Sequence, residues 1–133
     1  MSTESSKHAD QPAPSASDIA AASALLVPAT SAGMPPTAQL FFAVVEATGV
    51  LNRGFGVVSS ARLAVGQYQV VFSHDVTRSA FVGTIGLTGS VGTSPSGEIA
   101  VVGRFGVPNG VFVQTFTSAG ASADRAFHLT ISS

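Results

Sequence analysis

The sequence predicts an all-β fold, an antiparallel β-sandwich or barrel-like domain of seven to eight short strands over residues 39–133, preceded by a flexible tail over 1–38. Three observations predict it. Short β-type runs recur at a spacing of roughly 10–14 residues, turn residues separate them, and the body has no helical periodicity.

Residues 1–17 are Ser, Ala, Pro and small polar groups, which bury too little surface to offset the entropy of ordering. Ser17-Asp18 suits a helix start, and the pattern predicts one short helix over 18–26 with Pro28 as its stop. So short a helix does not hold by itself in water. If ordered, it must dock Ile19, Leu25, Leu26 and Val27 on something: a larger protein partner or a neighbouring subunit. Residues 28–38 follow as an extended linker, with Pro35-Pro36 opposing helix.

The strands come next. Gln39 to Ala47 is almost continuously apolar (LFFAVV), as in a strand covered on both faces. After the Thr48-Gly49 turn, Val50 to Val58 is extended, and Gly54 and Gly56 around Phe55 suggest a bulge or a close backbone approach. Ser60 to Val65 is a third run. Gln67 to Phe72 alternates, with Tyr68, Val70 and Phe72 on one face. Ser79 to Leu87 is followed by a Gly/Ser/Pro loop. Glu98 to Phe105 and Gly110 to Thr117 form a hairpin, joined by Val107-Pro108-Asn109-Gly110 with Gly110 accepting positive φ. Ala126 to Ile131 closes the series, Phe127, Leu129 and Ile131 inward and His128 and Thr130 outward.

Phe112 and Phe116 fall on the opposite face from Val111, Val113 and Thr115. A two-layer sandwich covers one face of each sheet, so the second apolar face must meet another subunit, the tail or a ligand. Composition points the same way. Charged residues are 10% of the chain and net charge is −1, against roughly 25% charged in an ordinary soluble domain. Little repulsion opposes contact between copies, and a homo-oligomer is expected, a trimer being one solution.

Several classes of function are disfavoured. The body carries five Arg and no Lys against Glu46, Asp75, Glu98 and Asp124, so no basic patch exists for nucleic acid. No apolar run approaches the ~20 residues of a transmembrane helix. Ile19 to Val27 follows an acidic segment, which makes a poor signal peptide, and the compartment stays open. The chain has no cysteine, hence neither disulfides nor thiolate metal sites.

Chemistry-bearing motifs are few. Ser73-His74-Asp75 has the residue types of a nucleophilic triad, but chain neighbours diverge, and a polar turn is expected. His8, His74 and His128 have no ligand-type spacing. Glu46 and Glu98 have nothing in their spacing that pairs them for acid–base work. Asp75 with Arg78, and Asp124 with Arg125, are expected as local turn contacts. No catalytic, cofactor-binding or metal-ligating residue is therefore assigned, and the chain is expected not to be an enzyme. The loop at 87–97 and the turn at Pro108 and Asn109 are candidate contact regions, because projecting loops on rigid scaffolds often carry recognition.

The stretches FFAVVEATGVLNRGFGV (41–57), GQYQVVFSHDV (66–76), SAFVGTIG (79–86), GEIAVVG (97–103), PNGVFVQTF (108–116) and ADRAFHLTI (123–131) together resemble a group of small, mostly uncharacterised bacterial β-domains. These occur alone or at the ends of surface or phage-fibre-like chains. The resemblance implies an all-β, non-enzymatic module and brings no catalytic residues. Related sequences often carry Cys near the positions of Ser79 and Ser132, where this chain has Ser. The function expected is a structural or assembly protein, such as a shell, fibre or surface-array subunit. The alternatives are a glycan- or protein-binding β-module, or a cargo or anchor protein docked through its N-terminal segment.

Overall fold

The computed structural model describes residues 11–23 and 40–132. Helix α1 (Ala16–Ser23) precedes eight strands: β1 (Leu40–Val45), β2 (Leu51–Phe55), β3 (Val57–Ala64), β4 (Gln67–Phe72), β5 (Ala80–Ile85), β6 (Glu98–Gly103), β7 (Gly110–Phe116) and β8 (Phe127–Ser132). They form two four-stranded antiparallel sheets, β2-β1-β8-β5 and β3-β4-β7-β6, packed as an all-β sandwich.

The period-two alternation of the sequence is what closes the core. Tyr68, Val70 and Phe72 of β4, Val111 and Val113 of β7, and Phe127, Leu129 and Ile131 of β8 all point between the sheets. Phe41, Ala43 and Val45 of β1 join them, and the Tyr68 and Phe127 rings meet edge to face at 5.1 Å. Every one of these residues belongs to the strands, so the core is complete within the β-domain.

One ribbon turns the corner between the sheets. β2 pairs with β1 and β3 pairs with β4, and between them Gly56 adopts φ 73°. A Cβ at Gly56 would lie 2.3 Å from Phe41 Cδ1, so the close approach suggested by Gly54 and Gly56 is real and requires glycine. The sequence placed the strand break after Val58; the corner sets it at Gly56. On the other side β5 and β6 lie against each other, with Gly83 beside Ile99 and Val101.

The β6–β7 hairpin forms as expected, Val101 opposite Val113. Its connection is two successive turns, Val107 N donating to Arg104 O at 3.0 Å and Gly110 N to Val107 O at 3.0 Å. The positive φ falls on Gly106 (77°) rather than on Gly110, because the first turn needs it at its third residue.

The predicted helix starts earlier than expected. It begins at Ala16 because Ser15 caps it, not Ser17: Asp18 N donates to Ser15 Oγ at 3.0 Å, and Ser15 N to Asp18 Oδ2 at 3.2 Å. This reciprocal pair is a capping box with Asp in place of the usual Glu. Leu25, Leu26 and Val27, expected as docking residues, lie outside the described residues.

Candidate functional site

Two surfaces stand out, one on the outer side of each sheet. On β3-β4-β7-β6 a seat holds residues 11–23. α1 has eight residues, too few to persist unsupported. It is supported by Ile19 and Ala22 resting on Val71 and Val107. Asn109 then fastens its end: the side-chain Nδ2 donates to Ala22 O at 2.8 Å and to Phe72 O at 2.9 Å. The first of these gives a carbonyl in the last described turn of α1 a side-chain donor.

Arg104 fastens the other end. Its Nε donates to Gln69 Oε1 at 2.6 Å, and one terminal nitrogen donates to Gln11 Oε1 at 3.0 Å and Pro12 O at 2.6 Å. Gln11 returns the contact, Nε2 donating to Gly103 O at 3.1 Å and Oε1 accepting from Phe105 N at 3.1 Å. The guanidinium is buried and lies 5.8 Å from the centre of the Phe112 ring. Burial pulls its pKa below the usual arginine value, opposed by the Asp18 charge. Between α1 and strands β3 and β4 a cleft of about 300 Å³ remains, with Asp18 and Ala21 on one wall and Ser59, Ala61 and Gln69 on the other.

The expected contact residues are thus distributed unequally. Ile19 and Asn109 meet at the seat, and Phe112 is closed over beside it by Arg104. Asn109 is fully buried, so it serves the chain's own N-terminal segment and presents nothing outward. Pro108 is half-buried in the turn. Phe116, also half-buried, lies opposite Glu98 at the far end of β7. Of the three candidates for covering the second face of β7, it is the tail that occupies the seat.

Sequence reasoning did not single out Arg104 or Gln11. Their pairing spans more than ninety residues of chain, and an arginine after a strand usually lies on a solvated rim. The hint present in the sequence was the Phe112 alternation, which demanded a cover without saying what it was.

The second surface is the outer side of β2-β1-β8-β5. The register aligns Phe55, Phe42, Thr130 and Val82 across four strands. Phe55 is 50% exposed, Phe42 37%, Val82 65%, and Leu40 on the next row 51%. The strand read as covered on both faces is therefore bare at Leu40 and Phe42. Its outward Val44 is buried, flanked by Arg53 and His128.

A polar network borders that end. Glu46 Oε2 accepts from Asn52 Nδ2 at 2.9 Å and Thr88 Oγ1 at 2.8 Å, and Arg53 donates to Thr88 O at 2.6 Å. His128 Nε2 lies 3.0 Å from Leu87 O. The network fixes the start of the 87–97 loop. Arg125 Nε donating to Ser96 O at 3.2 Å fixes its end. Between them Val91 stands 87% exposed.

The remaining titratable residues serve the fold. His74 turns inward, stacking on Phe41 at 4.6 Å, so the expected polar turn is polar only in part. Asp75 accepts from Thr77 N and Oγ1, where an Arg78 contact was expected. Ser73, His74 and Asp75 diverge, as neighbours on a chain must. The Asp124 carboxylate pairs with Arg62, Oδ2 accepting from Arg62 Nε at 3.0 Å while Oδ1 accepts from Gly66 N at 2.8 Å and Tyr68 OH at 3.4 Å. The local Arg125 contact is made instead to the Asp124 backbone carbonyl, Nη1 donating to O at 3.1 Å. Among the described residues no three His, Asp or Glu side chains are grouped to hold a metal ion, and no helix is long and apolar enough to cross a membrane.

These bonds, the Gly66 N–H first and Arg62 next, hold the Asp124 carboxyl below its ordinary value of 3.8. A carboxyl that titrates lower when folded stabilises the fold in its ionised form. That contribution is whole above about pH 4 and fades as pH falls through the folded value. Asp75, lowered by Thr77, acts in the same sense. In urea titrations between about pH 5 and pH 3, the midpoint is expected to fall more steeply for the parent than for Asp124→Asn. Equal slopes would remove Asp124 from the acid limb.

Comparison with protein-family models, curated proteins and solved structures gives no match for this chain.

Proposed function

We propose that this chain is a non-enzymatic structural module that assembles with copies of itself, as a subunit of a shell, fibre or surface array. One observation carries the proposal: Phe42 and Val82 on the outer side of β2-β1-β8-β5, with Leu40 beside Phe42 and the half-exposed Phe55 at the sheet edge, where its ring also stacks on the core Phe41 at 6.4 Å. Scattered apolar side chains on a surface are ordinary, whereas several large ones sharing one sheet face, here with only Thr130 between Phe42 and Val82, mark a contact. The low charge content removes the usual repulsion between such faces. The resemblance to bacterial β-domains of surface and fibre chains agrees with this role.

Light scattering at tens of micromolar is expected to give a small whole-number multiple of the chain mass, three copies being one outcome. Val82→Asp is expected to shift the population to single chains while leaving the far-ultraviolet CD spectrum unchanged. A parent protein that is monomeric under these conditions would overturn the proposal.

A glycan- or protein-binding role is favoured by a different feature, the 87–97 loop held at both ends with Val91 exposed between them. It requires binding to glycan or cell surfaces that Val91→Ser weakens and Val82→Asp does not.

A further inference from the structure

We infer that the seat on β3-β4-β7-β6 receives residues 11–23 from a second copy of the chain, so that subunits are joined by exchanged arms. The inference rests on the self-association proposed above and names the device that makes it specific.

The arm is separable from the body. It supplies no residue to the sandwich core, and Ala22 is the one buried side chain of α1. Beside the small apolar contact of Ile19 and Ala22, its hold is polar and directional: Gln11, Pro12 O and Ala22 O meet Gly103 O, Arg104 and Asn109. Such contacts recognise a sequence and fix its register without being needed to fold the strands. The open cleft between α1 and β3–β4 lets water reach the contact, so the arm can leave without unpacking the core.

The chain is long enough to place the arm elsewhere. Residues 24–39 separate Ser23 from Leu40, sixteen residues that extend to at most roughly 55 Å. A body of this size has a radius of gyration of about 13 Å, hence a diameter of roughly 34 Å. An arm can thus reach the seat of an adjoining molecule. Exchange replaces each contact by its equivalent, so the seat loses nothing. Apolar contact through Phe42 and Val82 would then supply the association energy and hold a second seat at high local concentration. Arm to seat is a head-to-tail contact. It closes a ring of three under threefold rotation, or extends as a fibre where the rotation does not close.

The chain has no cysteine, so an introduced pair reports without background. Ala22 and Val107 pack in one cluster. Full-length Ala22→Cys protein is mixed with full-length Val107→Cys protein, oxidised, and run on a non-reducing gel. The expected result is a covalent heterodimer, absent when Ala22→Cys is mixed with Ser118→Cys, whose thiol lies at an exposed position away from the seat. The double variant Ala22→Cys/Val107→Cys is expected to give a ladder of covalent oligomers; cross-linked single chains alone would overturn exchange. If Val107→Cys impairs folding, Ile19→Cys with Val71→Cys asks the same question of the same cluster. Light scattering on the same samples separates the failures. Oligomers with cross-links only inside single chains end the exchange and leave self-association standing, whereas single chains throughout end both.

Discussion

Replacing Phe127 by alanine is expected to cost about 3–5 kcal/mol, a large share of the 5–15 kcal/mol that holds a domain of this size. Phe127 is fully buried, lies between Val45 and Ile85 in the sheet register, and meets the Tyr68 ring at 5.1 Å. Truncation leaves a void lined by atoms from both sheets, and ladders on either side keep it from collapsing. Phe42→Ala is the matched comparison. Phe42 lies on the same sheet but faces outward and is 37% exposed, so its loss is expected to cost about 1 kcal/mol or less in a single chain. Equilibrium urea denaturation of the two variants, at a concentration where single chains predominate, checks the pair. Equal costs would mean that the inner and outer faces of this sheet are wrongly assigned.

The second large effect is expected at Asn109. Asn109→Ala removes two hydrogen bonds, to Ala22 O and Phe72 O, and leaves buried carbonyls without those donors. Each such group costs about 1–3 kcal/mol, giving a total of about 2–4 kcal/mol once the turn has partly relaxed. The effect should be local as well as global. Ile19 N donates to Ser15 O at 3.0 Å across the first turn of α1, and a helix this short keeps that bond only while docked. Hydrogen exchange at the Ile19 amide is therefore expected to become fast in Asn109→Ala, while Val113 in β7 stays protected relative to the unfolding limit. Unchanged protection at Ile19 would show that Asn109 is not what fastens the arm.

The strands were legible because their signal is local. In Phe127–Ser132 polar and apolar residues alternate without interruption, and in Gln67–Phe72 Val71 alone breaks the pattern, so the alternation assigns nearly every side chain to a face. The turn after β6 was legible for the same reason, proline and asparagine sitting between two apolar runs. What depended on distant partners was not. Nothing near Gly56 says that the ribbon there leaves one sheet for the other, since the demand comes from the Phe41 ring fifteen residues earlier. His74 reads as a turn residue until Phe41 is placed beneath it. The helix start was misplaced by one short-range detail, the Ser15–Asp18 pairing, which Ser17 obscured.

The seat was half legible. Phe112 on the wrong side of its strand required a cover, and Ile19 required a dock, but nothing in either segment matches them to each other. The match is made by Arg104 and Asn109, polar side chains whose burial follows from the docking and cannot precede it. The apolar row on the other sheet was harder still. Phe55, Phe42 and Val82 come from three strands, and their alignment exists only in the pairing register.

That register also decides how the domain answers to tension. Leu40 is paired with Ser132, which puts the two ends of the β-domain side by side at the same end of β1 and β8. A pull between them meets the ladder one rung at a time, as a zip does, and never loads its hydrogen bonds in parallel. If the connection to the next subunit runs through an arm seated at Asn109 and Arg104, part of the load enters through β7 and its neighbours in the other sheet instead. A strained assembly would then be gripped where the sandwich is broad, rather than opened at its seam.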